Sequence, residues 1–420
     1  MKKTRGKADT ELVRQQNRSL VLEALRKHGA LASIELGEKT GLSPATISAI
    51  TNDMIAERLI ENDEEETARH RLVQRGRPKI KLKLAASAAI IVGIRLTHNT
   101  VALLLTDFSG DVKVRQTIDI ETSDMSADAF SQMLVERTKA FLNDNDVDPS
   151  RVSIASIACQ GSVDATRGEI IWSPAFSARN IKIAEPLERA FDFPCIVAND
   201  TNAIAHALHV EDETLSGSFA VLYLGSGIGL GLFVNNMLIE GTNGSTSEFG
   251  HMLFEPNGAL CRCGRRGCIE AYGADFGIAR SANRALKDLN PADISPTLAD
   301  MEMLAEAARG GDAESLAAFE RAGTAIGVGL ANLVLIVNPQ RILFTGPGIT
   351  HFDLMRESLC EAVTHAKRAE NGLDITVLDD DRDLIEVGLL SLAFTRLDQE
   401  IFAKRVTVQE MASRHGLIGA

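Results

Sequence analysis

The chain has 420 residues, 45% of them apolar and 24% charged. That is the composition of an ordinary globular protein with room for two or three domains and a large core, and it excludes a disordered or fibrous chain. The net charge of −13 is uneven: residues 1–86 hold 17 Lys+Arg against 12 Asp+Glu, a net of +5, which leaves −18 for the remainder. A basic head on an acidic body suggests a nucleic-acid-binding module joined to something else. No apolar run reaches the ~18 to 20 residues of a membrane span. Met1-Lys2-Lys3-Thr4-Arg5 is basic without an apolar segment behind it, so a cytoplasmic protein with no signal peptide and no membrane partner is expected.

In the head, Leu20, Val21, Ala24 and Leu25 recur at helical spacing within Asn17 to His28, and Gly29 ends the segment. Ser33 is expected to cap a short helix, 34–40, which Gly41 breaks. Ser43 caps a third helix with Pro44 at its first position, and Ile47, Ile50, Met54 and Ile55 form its apolar face. Helix, short helix, glycine turn and capped helix is the helix-turn-helix pattern. The last helix of such a unit meets base edges, which points Ala45, Thr46, Ser48, Ala49 and Asn52 toward DNA. Small side chains permit close approach, and Asn pairs with adenine.

Two wing strands are expected, at 59–63 and over the strictly alternating Lys79 to Leu84. Between them Gln74-Arg75-Gly76-Arg77-Pro78 resembles an AT-hook, placing Arg75 and Arg77 in a narrow, A·T-rich minor groove. The acidic run Glu64-Glu65-Glu66 is expected to turn to solvent. Residues 85–88, rich in Ala and Ser, read as the joint, giving a DNA-binding domain at 1–85 and a body at 86–420.

In the body, apolar runs at 89–96, 101–106, 152–158, 194–198, 219–224 and 341–344 read as strands that alternate with helices, an α/β architecture. The run at 219–224 leads into Gly225 to Gly231, read as a loop whose backbone N–H groups approach phosphate or sugar oxygens. Asp200, in Asn199-Asp200-Thr201-Asn202, is either a general base toward a sugar hydroxyl or an N-cap. One imidazole and three thiols, His251, Cys261, Cys263 and Cys268, fall within eighteen positions among Gly and Arg neighbours. Nitrogen and thiolate donors in that number suit one structural zinc per chain, with no open position for a catalytic water. Cys159, Cys195 and Cys360 are isolated and are expected to be reduced core residues.

The spacing Glu248-x-x-His251, then Cys261-x-Cys263, then Cys268-x-Glu270, resembles the signature of the ROK family of repressors, open reading frames and sugar kinases. The likeness extends through Gly161-Ser162-Val163-Asp164, Asn199 to Asn202, Gly225 to Gly231 and Asn338-Pro339, nearly the whole body. The resemblance implies a winged helix-turn-helix followed by a two-lobed, actin-like ATPase (sugar-kinase-like) α/β body. Its lobes would span about 86–205 and 206–400, with a C-terminal helix packing back. By position, Asn199, Asp200, Glu248, His251 and Glu270 would bind sugar hydroxyls, His251 also ligating zinc.

Where active family members carry Asp-x-Gly-Gly-Thr for Mg and ATP phosphates, this chain has Arg95, Thr97, His98 and Asn99, and Pro347 replaces a glycine near the adenosine site. The loss of the carboxylate and paired glycines damages phosphoryl transfer, which depends on positioning and charge neutralisation. The kinases' Trp-x-Asn is here Ala178-Arg179-Asn180, so an aromatic wall is expected to be missing. Arg179 either faces the cleft, compatible with a phosphorylated or acidic sugar, or is solvated. The expectation is a catalytically inactive, sugar-responsive repressor of carbohydrate genes, similar to the xylose and N-acetylglucosamine repressors. It would bind operator DNA and a sugar or sugar phosphate as a homodimer or homotetramer. The alternatives are a sugar kinase carrying a DNA-binding head, with Asp200 as base, and a repressor released by a partner protein.

Overall fold

The computed structural model describes residues 3–63, 80–97, 99–122, 125–241, 248–366, 374–378 and 383–402. Arg75, Arg77, His98 and the run Glu64 to Glu66 lie outside the described residues.

The head is built on helix α1 (Lys3–His28), longer than the periodic segment suggests, followed by α2 (Ser33–Thr40) and α3 (Pro44–Ala56). Ser43 Oγ accepts from Thr46 N–H with Pro44 at the first helical position, so α3 starts where its cap dictates. Ser33 does not cap α2. It is the first helical residue, and the extended Ala32 precedes it with its N–H donating to the Glu35 carboxylate. Val21, Leu22, Leu25, Ile47, Ile50 and Met54 are buried together. Leu20 and Ile55, expected in that core, are exposed at 40% and 37%. Each lies one residue, ~100° of helical rotation, from a buried neighbour. Strands β1 (Leu31–Ala32), β2 (Ile60–Asn62) and β3 (Lys81–Leu84) form an antiparallel wing in the order β1-β3-β2. Alternation along β3 buries Leu82 and Leu84 and turns Lys81 and Lys83 outward.

The body contains the same sheet plan twice. The first sheet runs β11-β7-β4-β5-β6, from β4 (Ile90–Thr97), β5 (Thr100–Asp107), β6 (Val112–Asp119), β7 (Val152–Cys159) and β11 (Cys195–Asn199). The second runs β14-β13-β12-β15-β16, from β12 (Phe219–Leu224), β13 (Ile228–Val234), β14 (Met237–Leu238), β15 (Arg341–Thr345) and β16 (Asp374–Val377). In each, three strands meander antiparallel and two further strands add parallel to the first. A small sheet of β8 (Ser162–Asp164), β9 (Glu169–Trp172) and β10 (Ile181–Lys182) extends the first lobe. Helices α4 (Ala127–Asp144) and α5 (Ala184–Phe191) cover that lobe, and α6 (Asp200–Glu211) lies between the two sheets.

Short helices α7 (Glu270–Gly273) and α8 (Asp275–Ala282), then α9 (Leu298–Arg309), α10 (Ala313–Ile336) and α11 (Phe352–Ala366), cover the second lobe. The chain returns through α12 (Leu384–Arg396), which packs on α6 and on β4 and β7. Helix α10 is the one described helix long and apolar enough to match a membrane span by length and composition. It is mostly buried against the second lobe's core, carries Glu314, Glu320 and Arg321, and packs along α11 as a core helix does. Of the isolated cysteines, Cys159 is buried, and Cys195 and Cys360 are half-buried.

Candidate functional site

Three backbone features place the site. Strand β11 ends at Asn199, whose Oδ1 accepts from the N–H groups of Thr201 and Asn202 and so caps α6. Asn199 rather than Asp200 is therefore the cap, and Asp200 becomes the first helical residue, its Oδ1 accepting from Thr201 N–H at 2.7 Å. The second feature is the turn between β12 and β13. Gly229 and Gly231, expected in a phosphate-approaching loop, are inside strand β13. A Cβ on Gly229 would lie 2.0 Å from Thr201 Oγ1, and one on Gly231 2.5 Å from Ala205 Cβ. These glycines let α6 press onto the sheet, and only 225–227 form the turn.

The third feature is the loop from Glu248 to α7. His251, Cys261, Cys263 and Cys268 bring four donor atoms within 4.8 Å of one another. Cys261 Sγ lies 3.7 Å from His251 Nδ1, and Cys263 Sγ lies 3.7 Å from Cys268 Sγ. Tetrahedral Zn–S bonds of about 2.3 Å separate two sulfurs by about 3.8 Å, so the cage matches zinc in donor set and size. Gly267 has φ +81° and no room for a side chain, because a Cβ would meet Glu255 O at 1.8 Å. Burial, with the Glu270 carboxylate nearby, pushes the Cys261 thiol well above its ordinary range, so its thiolate needs a cation beside it. Arg262 anchors the loop to the second lobe. Its Nε donates to Pro291 O at 3.2 Å, Nη1 to Ser226 O at 3.1 Å, and its guanidinium lies 4.4 Å from the Phe276 ring centre.

Asn199, Asp200, Glu248, His251 and Glu270 all line one cleft between the lobes, about 490 Å³ including its mouth. With Nδ1 toward the thiols, His251 presents Nε2 at 3.6 Å from Glu248 Oε2. Glu270 Oε2 accepts from Ile228 N–H at 3.3 Å, and Oε1 is 3.5 Å from Cys261 Sγ. Asn199 Nδ2 donates to Gly161 O at 2.9 Å. Burial raises Asp200 to about 6 against the opposing hydrogen bonds of Thr201 and the charge of Arg95.

The expected loss of an aromatic wall is wrong in its consequence. Trp172, at the end of β9, lines the cleft with its ring 5.6 Å from His251 at 62°. Arg179 is exposed and outside the cleft lining. Gln160 and Tyr223 also line the cleft and were not singled out from the sequence. Trp172 is the chain's only tryptophan, which was the available signal.

Arg95, Thr97 and Asn99, on the hairpin of β4 and β5, and Pro347 are not among the residues that line this cleft. Arg95 forms an ion pair with Asp383, at the start of α12. Thr97 and Thr100 share a hydrogen bond across the hairpin, and Asn99, at φ +58°, accepts from Thr122 Oγ1 at 2.9 Å. The Tyr223 ring packs on Gly346, and Pro347 packs on Gly225.

In the head, Ala45, Ser48, Ala49 and Asn52 are exposed on α3 and Thr46 is half-buried, its Oγ1 2.9 Å from Ser43 Oγ.

The ROK family profile matches residues 91–379, more than half of the chain. The chain belongs to the ROK family. A winged helix-turn-helix DNA-binding profile matches residues 14–61. The xylose repressor of Bacillus spizizenii is 26% identical over 360 residues, 85% of this chain and 88% of that protein. The DNA-binding transcriptional dual regulator NagC of Escherichia coli is 24% identical over 339 residues, 80% and 82% of the two chains. Among solved structures, a ROK family transcriptional regulator described as a homolog of the E. coli MLC protein matches with TM-score 0.73 at 22% identity, covering 91% of this chain and 97% of that one. A ROK hexokinase from Thermus thermophilus matches with TM-score 0.57 at 24% identity, over 73% and 97%. The full-length likeness is to a regulator and the kinase covers the body, which shows the fold of both parts.

Proposed function

We infer that this ROK protein is a sugar-responsive transcriptional repressor of carbohydrate uptake or catabolism genes, with residues 1–85 as its DNA-binding unit and the body at 86–420 as its sugar sensor. The observation that carries this is the divided cleft. Asn199, Asp200, Glu248, His251 and Glu270 converge on open space as sugar hydroxyl partners, with Trp172 as an apolar wall. At the positions that resemble the kinases' phosphate side, Arg95, paired with Asp383, puts a cation where Mg needs a carboxylate, and Pro347 packs on Gly225. His251, Cys261, Cys263 and Cys268 would hold one structural zinc, which supplies a rigid cross-link. The chain's own contribution is to turn His251 Nε2 and the two carboxylates toward the sugar.

Sugar binding draws the lobes together and biases the pair of heads in a homodimer or homotetramer away from the spacing that matches half-sites ~34–36 Å apart or multiples of that. Ala45, Thr46, Ser48, Ala49 and Asn52 would read base edges, and Arg75 and Arg77 an adjacent minor groove. The names of the regulatory relatives support a cytoplasmic DNA-binding role.

A sugar kinase is the competing reading, favoured by the retention of Asp200, buried in the lining of the cleft. The two are separated by sugar-dependent ADP release, measured with whichever of glucose, xylose, N-acetylglucosamine or their phosphates raises the melting temperature. The expected result is a thermal shift and no release above background. Turnover on the order of 1–100 per second would establish the kinase instead.

A further inference from the structure

From the cleft to α3, this chain has a continuous run of contacts without slack. Asp200 opens α6, so a ligand that pulls on the cleft wall pulls on that helix. Helix α6 meets α12 backbone to backbone: a Cβ on Gly388 would lie 2.3 Å from Ala203 C and O, and His206 Nδ1 is 3.1 Å from Ser391 Oγ. Strand β4 reaches the same helix, since Arg95 pairs with Asp383, whose carboxylate also caps α12 through the N–H groups of Ile385 and Glu386.

Helix α12 runs on into a π turn, Leu397–Ile401, and there the head is attached. Ser19 Oγ donates to Asp398 O at 2.9 Å, and Arg26 Nη2 donates to the Asp398 carboxylate at 2.9 Å while its guanidinium lies over Phe394. Arg18, 1% exposed, donates from Nε to Phe402 O at 3.1 Å and from Nη1 to Glu57 Oε1 at 3.1 Å. Glu57 is the residue that closes α3. One buried guanidinium thus holds the turn that follows α12 and the end of the candidate recognition helix together.

We propose that α12 is the coupling rod of this protein, with Arg18 as the positioning residue that transmits its displacement to α3. The proposal rests on the sugar-responsive reading above and adds how the response reaches DNA. Packed interfaces respond to sub-ångström shifts by switching between discrete arrangements rather than by deforming smoothly. A guanidinium with fixed donor geometry can serve both Phe402 O and Glu57 only while α12 and α3 keep their relative position. Coupling between two binding sites is reciprocal, so operator DNA would weaken sugar binding by the same factor by which sugar weakens DNA binding.

The test measures that factor in the full-length chain. The DNA probe is a duplex enriched from a random library by the wild-type protein. The sugar probes are glucose, xylose, N-acetylglucosamine and N-acetylglucosamine 6-phosphate. Sugar affinity is measured with and without the duplex in wild type, Arg18→Lys, Arg26→Gln and, as a control on a surface pair away from the rod, Arg309→Gln. Wild type and control are expected to show a factor of roughly 5–150. Arg18→Lys and Arg26→Gln are expected to bind each probe alone within about threefold of wild type and to lose most of the factor. If Arg18→Lys does not melt cooperatively, Arg26→Gln carries the comparison, because it cuts the other junction between the head and the turn after α12, at Asp398, and spares the buried pair of Arg18 and Glu57. A full coupling factor in folded variants overturns the rod while leaving the sugar-responsive repressor standing. A wild-type chain whose DNA binding responds to none of the four sugars overturns that reading and the rod with it.

Discussion

Two halves of this region have opposite characters, the polar lining of the cleft and the β4–β5 hairpin with Pro347 outside that lining. On one half, Asn199, Glu248, His251 and Glu270 present polar atoms to open space, fixed from behind by helix caps and a four-ligand loop. On the other, Arg95 is paired with Asp383, Thr97 and Asn99 are hydrogen-bonded at the hairpin, and Tyr223 and Pro347 pack on Gly346 and Gly225. Asp200 stands at the border and belongs geometrically to both. A site that positions hydroxyls needs only the first half, whereas phosphoryl transfer needs both. On the proposed reading, the loss of phosphoryl transfer would lie only in what stands at the strand ends, with the sheet and the cap of α6 kept.

The largest expected effect comes from the loop behind the open half. Cys263→Ser, or exhaustive chelation, should release one zinc per chain by elemental analysis and destabilise the body by several kcal/mol, because metal binding free energy is folding free energy here. Sugar-induced thermal shifts should vanish with the metal, since His251 belongs both to the four-donor cluster and to the cleft wall. A metal-free chain with an unchanged melting curve would show that the thiols are merely packed.

Asp200→Asn sharpens the border. Burial holds Asp200 near 6, above the 3.8 of an ordinary aspartate, so the native state binds its proton more tightly than the unfolded chain does. The stability this contributes is complete below about pH 4 and is lost as pH rises through about 6. Asp275 and Asp398, also raised to about 6 by burial, add slopes of the same sign. The wild-type melting temperature should therefore rise from these groups as pH falls from 7 toward 5. Asn at position 200 should flatten part of that rise, stabilise the chain at pH 7 by up to roughly 3 kcal/mol, and abolish the sugar-induced shift. Scanning calorimetry across that range checks all three.

Legibility in the sequence followed the range of the interactions. The clustering of His251 with the three cysteines was readable because they lie within eighteen positions, and the start of α3 because a cap and a proline act on the next turn. The glycine run was misread because glycine has two uses: Gly229 and Gly231 were expected to bare the backbone to a ligand and instead admit Thr201 and Ala205 of α6. Trp172 was overlooked because its partner, His251, is seventy-nine positions away, and the Arg18 junction because Phe402 is 384 positions away. Such pairs exist only once the lobes and head have packed; the single tryptophan marked one residue of the first pair but not its partner. Leu20 and Ile55 failed for a smaller reason, a single step of helical phase.

Trp172→Ala tests whether the open half binds by polar atoms alone. The indole supplies an apolar wall beside His251, and removing it should lower affinity for the best sugar by about tenfold, from the ~1–2 kcal/mol that burying part of such a face contributes. DNA affinity without sugar should not change.

The smallest effect is expected at Arg179, and it discriminates between two accounts of what the cleft admits. A cation facing the cleft would favour a phosphorylated or acidic sugar, and its loss would reduce affinity for that ligand by an order of magnitude or more, since charge-assisted hydrogen bonds are about twice as strong as neutral ones. The structure instead leaves Arg179 exposed, away from the residues that line the cleft. An exposed charge outside the lining acts through water and is further screened over a Debye length of about 8 Å at physiological ionic strength. Arg179→Ala should therefore change affinity for N-acetylglucosamine and for its 6-phosphate by less than about twofold each, with stability within ~0.5 kcal/mol of wild type. Titration calorimetry with the two ligands side by side measures this. A selective loss for the phosphate alone would bring Arg179 into the site and imply a cleft that closes further than the arrangement seen here.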